Sequence, residues 1–239
     1  MSSTTPLEVA RAVGAVRAAL PLTTQRCVLR EVVAGDEAAL SAYRSDPEVT
    51  RFLGHPPLDA AGVGELLERW RGEAGSVSLV AQRLSPATGE NDAGESGTGE
   101  SGAGESGTVP TGSVVGDVRI RFRPSSALSP ATTSAVDAAL GYAFHPRVHG
   151  LGLATECVRA VLDLTLGAAG ARRVTARVFA PASPSTRLLT RLGFTRDGVD
   201  RAAVLAPDGV TWWDDELWSR FPDGGSVPET LRQAPQKQR

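Results

Sequence analysis

The chain has 239 residues, and 25 Lys+Arg against 27 Asp+Glu leave a net charge of −2, so the balance gives no electrostatic case for a nucleic-acid or membrane partner. Its two cysteines, Cys27 and Cys157, lack metal-ligand spacing and read as small buried hydrophobes. No apolar stretch is long enough to span a bilayer, and Glu8, Arg11 and Arg17 interrupt any signal-like run, so a soluble cytoplasmic protein of bacterial type is expected.

In chain order, Leu7, Val9, Ala10, Val13, Val16 and Leu20 recur at helical spacing, which makes 1–21 an N-terminal helical extension closed by Pro21. It is read as packed on the domain rather than as a dimer contact. A strand follows over 22–33, then a helix over 36–44 with Asp36 near its N-cap, a short helical segment at 46–53, a helix over 58–71 and a strand over 76–83. From 85 to 112 the composition turns to Gly, Ser, Glu, Thr and Ala, with a repeat that starts as Gly94-Glu95-Ser96-Gly97-Thr98. Such a segment buries too little to offset its ordering entropy and is expected to be a disordered insertion, with an acidic lid over a substrate site as the other reading. Residues 114–123 form a strand that puts Arg119, Arg121 and Arg123 on one face, either solvated or lining a ligand surface. A strand over 136–144, a glycine turn, a helix over 153–166 and a strand over 173–179 come next. Ser183 as N-cap with Pro184 opens another helix that Gly193 stops. Two closing strands, 202–205 and 211–218, and a loose tail over 221–239 complete the chain. The whole reads as one domain over 22–220.

The segment Leu140 to Glu156 carries the chemistry. An apolar strand stops at His145-Pro146, and Arg147-Val148-His149-Gly150-Leu151-Gly152 feeds straight into a helix. Helix N-termini expose unpaired N–H groups and favour negative charge, and glycines let a phosphate approach. A phosphorylated ligand is therefore expected at 151–155.

Gly141-Tyr142, His145-Pro146, Gly150-Leu151-Gly152-Leu153-Ala154-Thr155-Glu156 and Ser185-Thr186-Arg187-Leu188-Leu189-Thr190-Arg191-Leu192-Gly193-Phe194 resemble, in that order, the motifs of the GNAT acyltransferases. The likeness is to their RimJ/RimL-like ribosomal-protein alanine acetyltransferase branch. Asp46 to Gly54 and Trp212-Trp213-Asp214 with Trp218 fit the same scheme. The resemblance implies an α/β (α+β) fold: a mixed, mostly antiparallel sheet of about seven strands, splayed at the middle, flanked by about four helices and here by the extra N-terminal one.

It also implies a site. The pyrophosphate of acetyl-CoA would lie on the N–H groups of Leu151, Gly152, Leu153, Ala154 and Thr155. His149 and Gly150 open the motif, His149 replacing the usual Gln or Arg, with Arg147 as a second cation. The pantetheine arm would pair with backbone groups of Ala143 and Phe144, and Arg187 and Arg191 would meet the 3′-phosphate. Two family carboxylate positions hold Ala139 and Val204, the family Asn is Ala182 and the family Tyr is Leu189. Ser185 matches the branch's proton donor. For the base, Asp137, Asp214 and His145 are candidates, beside a water-relayed route with no side-chain base. The implied activity is direct acetyl transfer, in a ternary complex, to a primary amine on a peptide or a small molecule, by a monomer or homodimer. A non-catalytic acyl-CoA-binding regulator is the alternative. An aminoacyl-tRNA-dependent transferase is disfavoured by the acidic charge balance.

Overall fold

The computed structural model describes residues 6–84, 110–126 and 135–222. The repeat-bearing insertion up to 109 and the tail beyond 222 lie outside the described residues.

The described elements are α1 (Leu7–Ala18), β1 (Leu22–Thr23), β2 (Cys27–Glu31), α2 (Glu37–Arg44), α3 (Pro47–Thr50), α4 (Ala60–Gly72), β3 (Ser76–Arg83), β4 (Val114–Pro124), β5 (Val136–Phe144), α5 (Leu153–Leu166), β6 (Ala171–Phe179), α6 (Ser183–Arg191), β7 (Thr195–Leu205) and β8 (Trp212–Arg220). A single 3₁₀ turn, Pro146–Val148, precedes α5. The eight strands form one sheet in the order β1-β2-β3-β4-β5-β6-β8-β7. Among the described strands only β5 and β6 run parallel, because the chain between them crosses over through α5.

Side-chain alternation gives each face of the sheet its own core. One face packs α1, α5 and α6 over Leu29, Leu79, Val118, Ile120, Ala138 and Leu140. The other packs α2 and α4 over Val80 and Ala143. Helix α1 inserts Val9, Ala12, Val13 and Val16 into the first core, so the extension is part of the packed unit. Cys27 and Cys157 are buried in the same core and interact, and their contact together with burial pushes the Cys157 thiol well up.

The strand expected over 22–33 is broken. The Thr24 hydroxyl donates to the Cys27 carbonyl at 2.9 Å and accepts from the Cys27 N–H at 3.0 Å, closing a turn that folds β1 back on β2. β7 starts at Thr195, well before the expected 202, and is bulged against β8 between Asp200 and Val204. Its outward positions are mostly polar, so hydrophobic alternation hid the strand.

Candidate active site

The site starts from an interrupted strand pair. β5 and β6 pair from Val136↔Ala171 to Ala139↔Thr175 and no further. β5 continues to Phe144, held by β4 as far as Gly116↔Phe144, and β6 continues to Phe179, held by β8 at Phe179↔Asp215. The two strands therefore separate beyond Ala139, and a gap opens in the middle of the sheet. Asp137 clasps its closed end. Its carboxylate, 2 % exposed, accepts from Arg172 Nε at 3.0 Å and Nη2 at 2.9 Å, from Arg173 Nε at 3.0 Å and from the Ser125 hydroxyl at 2.8 Å.

The 3₁₀ turn and the glycine turn carry the chain from the open end of β5 into α5. Gly150 and Gly152 have φ of +78° and +77°, where a side chain is strained. Gly152 caps α5 without any described side-chain cap bond, and the first intrahelical bond is Glu156 N–H to Gly152 O at 3.1 Å. The N–H groups of Leu153, Ala154 and Thr155 thus precede the ladder and point out of the helix end. Arg26, which sequence reasoning missed, ties the turn down. Its Nη1 donates to Leu151 O at 2.9 Å, and its backbone N–H and Nε each donate to the Glu156 carboxylate at 2.7 Å. Burial works to raise the Glu156 carboxyl, but the hydrogen bonds and charge of Arg26 oppose it, and the carboxyl stays below its usual range. Only the pairing of β2 with the sheet brings residue 26 here, so no local signal marked it.

A cavity of about 530 Å³ lies beside this turn, lined by residues that include Thr155, Arg159, Asp163 and Arg191. Of the two arginines expected near a 3′-phosphate, Arg191 lines it. Arg187 does not, and donates instead to Ser183 Oγ at 3.3 Å. His149 Nε2 lies 3.2 Å from Phe144 O, so the ring folds back on the strand end and occupies a carbonyl expected to be open. Arg147 is exposed, and its guanidinium has no partner among the described residues.

On the α6 side of the gap, Tyr142 of β5 reaches toward Ser185 in the first turn of α6. Burial raises the Tyr142 phenol to about 12, opposed by the nearby Ser185 hydroxyl. The pair stops short of a full hydrogen bond, so Tyr142 Oη is buried without a partner among the described groups. Helix α6 is capped by Ala182, with Ser183 already inside it, so it starts one residue earlier than the sequence implied.

On the other face, the gap is floored by half-buried Ala139 and exposed Gly141. None of the expected bases offers an open lone pair there. Asp137 does share this face, but its oxygens are taken by two arginines and a serine, which corrects its assignment as a base. Asp214 accepts from Ala202 N–H at 2.8 Å, and alternation turns it to the opposite face from Asp215. His145 accepts the Arg147 N–H on Nδ1 at 3.1 Å, capping the 3₁₀ turn. Burial and the Arg147 charge lower its pKa from 6.5, so the ring is neutral, and with Nδ1 accepting, its one proton sits on Nε2. A ring in that state donates at Nε2 and has no free acceptor. Asp117 is equally occupied, by Tyr43 Oη at 2.6 Å and Arg44 Nη2 at 2.7 Å.

The rim of this face is aromatic and cationic. Phe52, Trp213 and Phe179 form a row with centroids 5.4 and 6.1 Å apart, and Arg51 lies over the Phe52 and Trp213 rings. Trp70 is not part of this row; it is buried beneath the Arg44 and Arg119 guanidiniums in the α2–α4 core. No described helix is long and apolar enough to cross a membrane.

Known proteins share this fold. The chain is similar in fold to RimJ of Mycobacterium smegmatis, solved with CoA-disulfide (20% identity, 90% of this chain and 91% of that chain, TM-score 0.60). It is similarly close to spermidine N-acetyltransferase of Vibrio cholerae, solved with CoA and spermine (12% identity, 83% and 96% of the two chains, TM-score 0.59). In sequence it is 28% identical over 80 residues to the uncharacterized N-acetyltransferase YnaD of Bacillus subtilis (strain 168), a match spanning 34% of this chain and 46% of that relative. The model of the acetyltransferase (GNAT) domain matches residues 26–195. The chain belongs to the GNAT acetyltransferase family.

Proposed function

We propose that this protein is an N-acetyltransferase that moves the acetyl group of acetyl-CoA to a primary amine, on a peptide N-terminus or a small molecule, by direct attack in a ternary complex. The observation that carries the reading is the gap where β5 and β6 stop pairing beyond Ala139, followed by a helix N-terminus whose first N–H groups have no intrahelical partner. The residues present fit acetyl-CoA. Leu151 to Thr155 would hold the pyrophosphate, Arg147 and Arg191 would add positive charge, and the edge of β5 around Ala143 would face the pantetheine arm. When bound, the cofactor supplies the activated acetyl group. Ser185, with Tyr142 beside it, is positioned to give a proton to the departing thiolate. Tyr142 is protonated throughout the neutral range.

The amine must be neutral to attack. With Asp117, Asp137 and His145 all occupied, its proton leaves through water, and the arginines around Ala139 disfavour the ammonium form by like-charge repulsion. The empty carboxylate positions at Ala139 and Val204 favour a second reading, a non-catalytic acyl-CoA-binding protein. Calorimetric titration with acetyl-CoA, followed by thiol release with a panel of peptides and small amines, separates the two. Binding with release supports the transferase, binding without release from any amine supports the regulator, and no binding refutes both.

A further inference from the structure

Resting on that reading, we propose that the acceptor amine carries a carboxylate or phosphate a few bonds from its nitrogen, and that Arg121, backed by the positive charge of Arg119, holds this anionic group. Antiparallel pairing sets Arg119 opposite Gly141 and Arg121 opposite Ala139, the two small residues that floor the gap. Paired residues on neighbouring strands share a face with their Cβ atoms about 5 Å apart. Arg121 is exposed beside Ala139, next to the place where an amine would meet the thioester, while the Arg119 guanidinium is turned toward Glu73 and Trp70 behind it. The floor is bare there, so the arginines are the nearest long polar side chains of β4.

The cluster is short of negative charge. Arg119 bonds Glu73 through Nη2 and stacks on Trp70, 5.4 Å from the ring centroid. Its Nε is buried with no partner among the described groups. Burial and the nearby charges of Arg121 and Arg69 outweigh Glu73 and lower the Arg119 pKa. Arg121 is exposed and makes no ion pair with a described residue, and Arg123 continues the row. Within the row only Glu73 pairs with an arginine, while Asp117 and Asp137 on the same face are taken by Arg44 and by Arg172 and Arg173. The exposed, planar Arg121 guanidinium, free of any ion pair with a described residue, suits a carboxylate or phosphate.

The test is thiol release from saturating acetyl-CoA by matched amines: glycine against glycinamide, O-phosphoethanolamine against ethanolamine, and Ala-Glu against Ala-Gln. Glycinamide is the more easily deprotonated amine of its pair, so intrinsic reactivity favours the neutral member and a preference for the acid reports the protein. We expect one or more anionic members to be preferred at least tenfold in kcat/KM. Arg121→Gln should abolish that preference through KM while leaving acetyl-CoA affinity unchanged. The carboxylate and phosphate pairs tell the two anions apart. Equal or better use of the neutral members overturns the proposal. If no amine is acetylated, the transfer reading fails, and titration of the CoA-loaded protein with O-phosphoethanolamine and with inorganic phosphate still decides. Saturable binding lost in Arg121→Gln sustains the anion site, and no binding removes it.

Discussion

In the proposed mechanism Ser185 gives the proton and Tyr142 stands beside it. Replacing Ser185 with Ala should lower kcat by about 10²-fold, as loss of a proton donor does, with acetyl-CoA affinity unchanged in calorimetry. Unchanged turnover would remove it from the mechanism. Tyr142→Phe deletes a buried hydroxyl that lacks a partner, so thermal stability near neutrality should hold or rise by about 1 kcal/mol. The alkaline response has a definite sign. The folded phenol sits at about 12 against 10 for an unconstrained tyrosine, so the unfolded chain ionises first. That contribution to stability is intact below pH 10 and is lost as pH rises from 10 toward 12. Tyr142→Phe should flatten that decline in melts at pH 9 and 11. Ser185 was legible because its motif survives in the sequence. Asp137 was legible only in part: a period of two gave its face correctly, but the arginines that occupy it arrive from β6 and no spacing announces them.

Among the elements, the clasp at the closed end of the gap and the glycine turn at its open end are separable by mutation. Asp137→Asn leaves the part-exposed Arg172 and Arg173 beside a neutral amide and should cost about 1.5–3 kcal/mol, read as a fall in Tm. The fraction that stays folded should keep its kcat, and a selective loss of kcat at unchanged Tm would reinstate Asp137 as a base. Gly116→Ala acts through β5 itself. A Cβ there would lie 2.4 Å from the Phe144 ring and 2.6 Å from Ala143 O, and the latter is backbone. We expect a loss of about 1–3 kcal/mol and weaker acetyl-CoA binding, because the strand edge along the gap must move. The helices and most strands were readable from periodicity and caps. The split of β1 from β2 was not, because it depends on a Thr24 hydroxyl bond that leaves the hydrophobic pattern unchanged.

For the molecule as a whole, the order of the motifs was enough to foresee a mixed sheet with a central gap. What could not be foreseen is what chain-distant pairing creates: the Arg26 tie, and a cationic face assembled from β4 and α4 beside small residues of β5. The N-terminal helix illustrates the same dependence. Val9, Val13 and Val16 are each at most 3 % exposed, and a buried valine contributes about 1.5–3 kcal/mol. Removing residues 1–18 should therefore abolish cooperative unfolding in circular dichroism, since the sum rivals the ~5–15 kcal/mol of a typical domain. A truncated chain that melts normally would mean that α1 is an ornament.

The tie between Arg26 and Glu156 also makes an internal gauge. The Arg26 amide proton lies in the turn just before β2, yet it is shielded by a carboxylate of the helix whose end would receive the pyrophosphate. A ligand that stiffens the glycine turn should slow solvent exchange of this one proton, even though it lies outside that helix. Acid should do the reverse. The Glu156 carboxyl ionises below its ordinary 4.5, so the shield stands above that pH and fails as pH drops through the lowered value. Exchange at residue 26, followed with and without CoA, would report occupancy from inside the protein with no label attached.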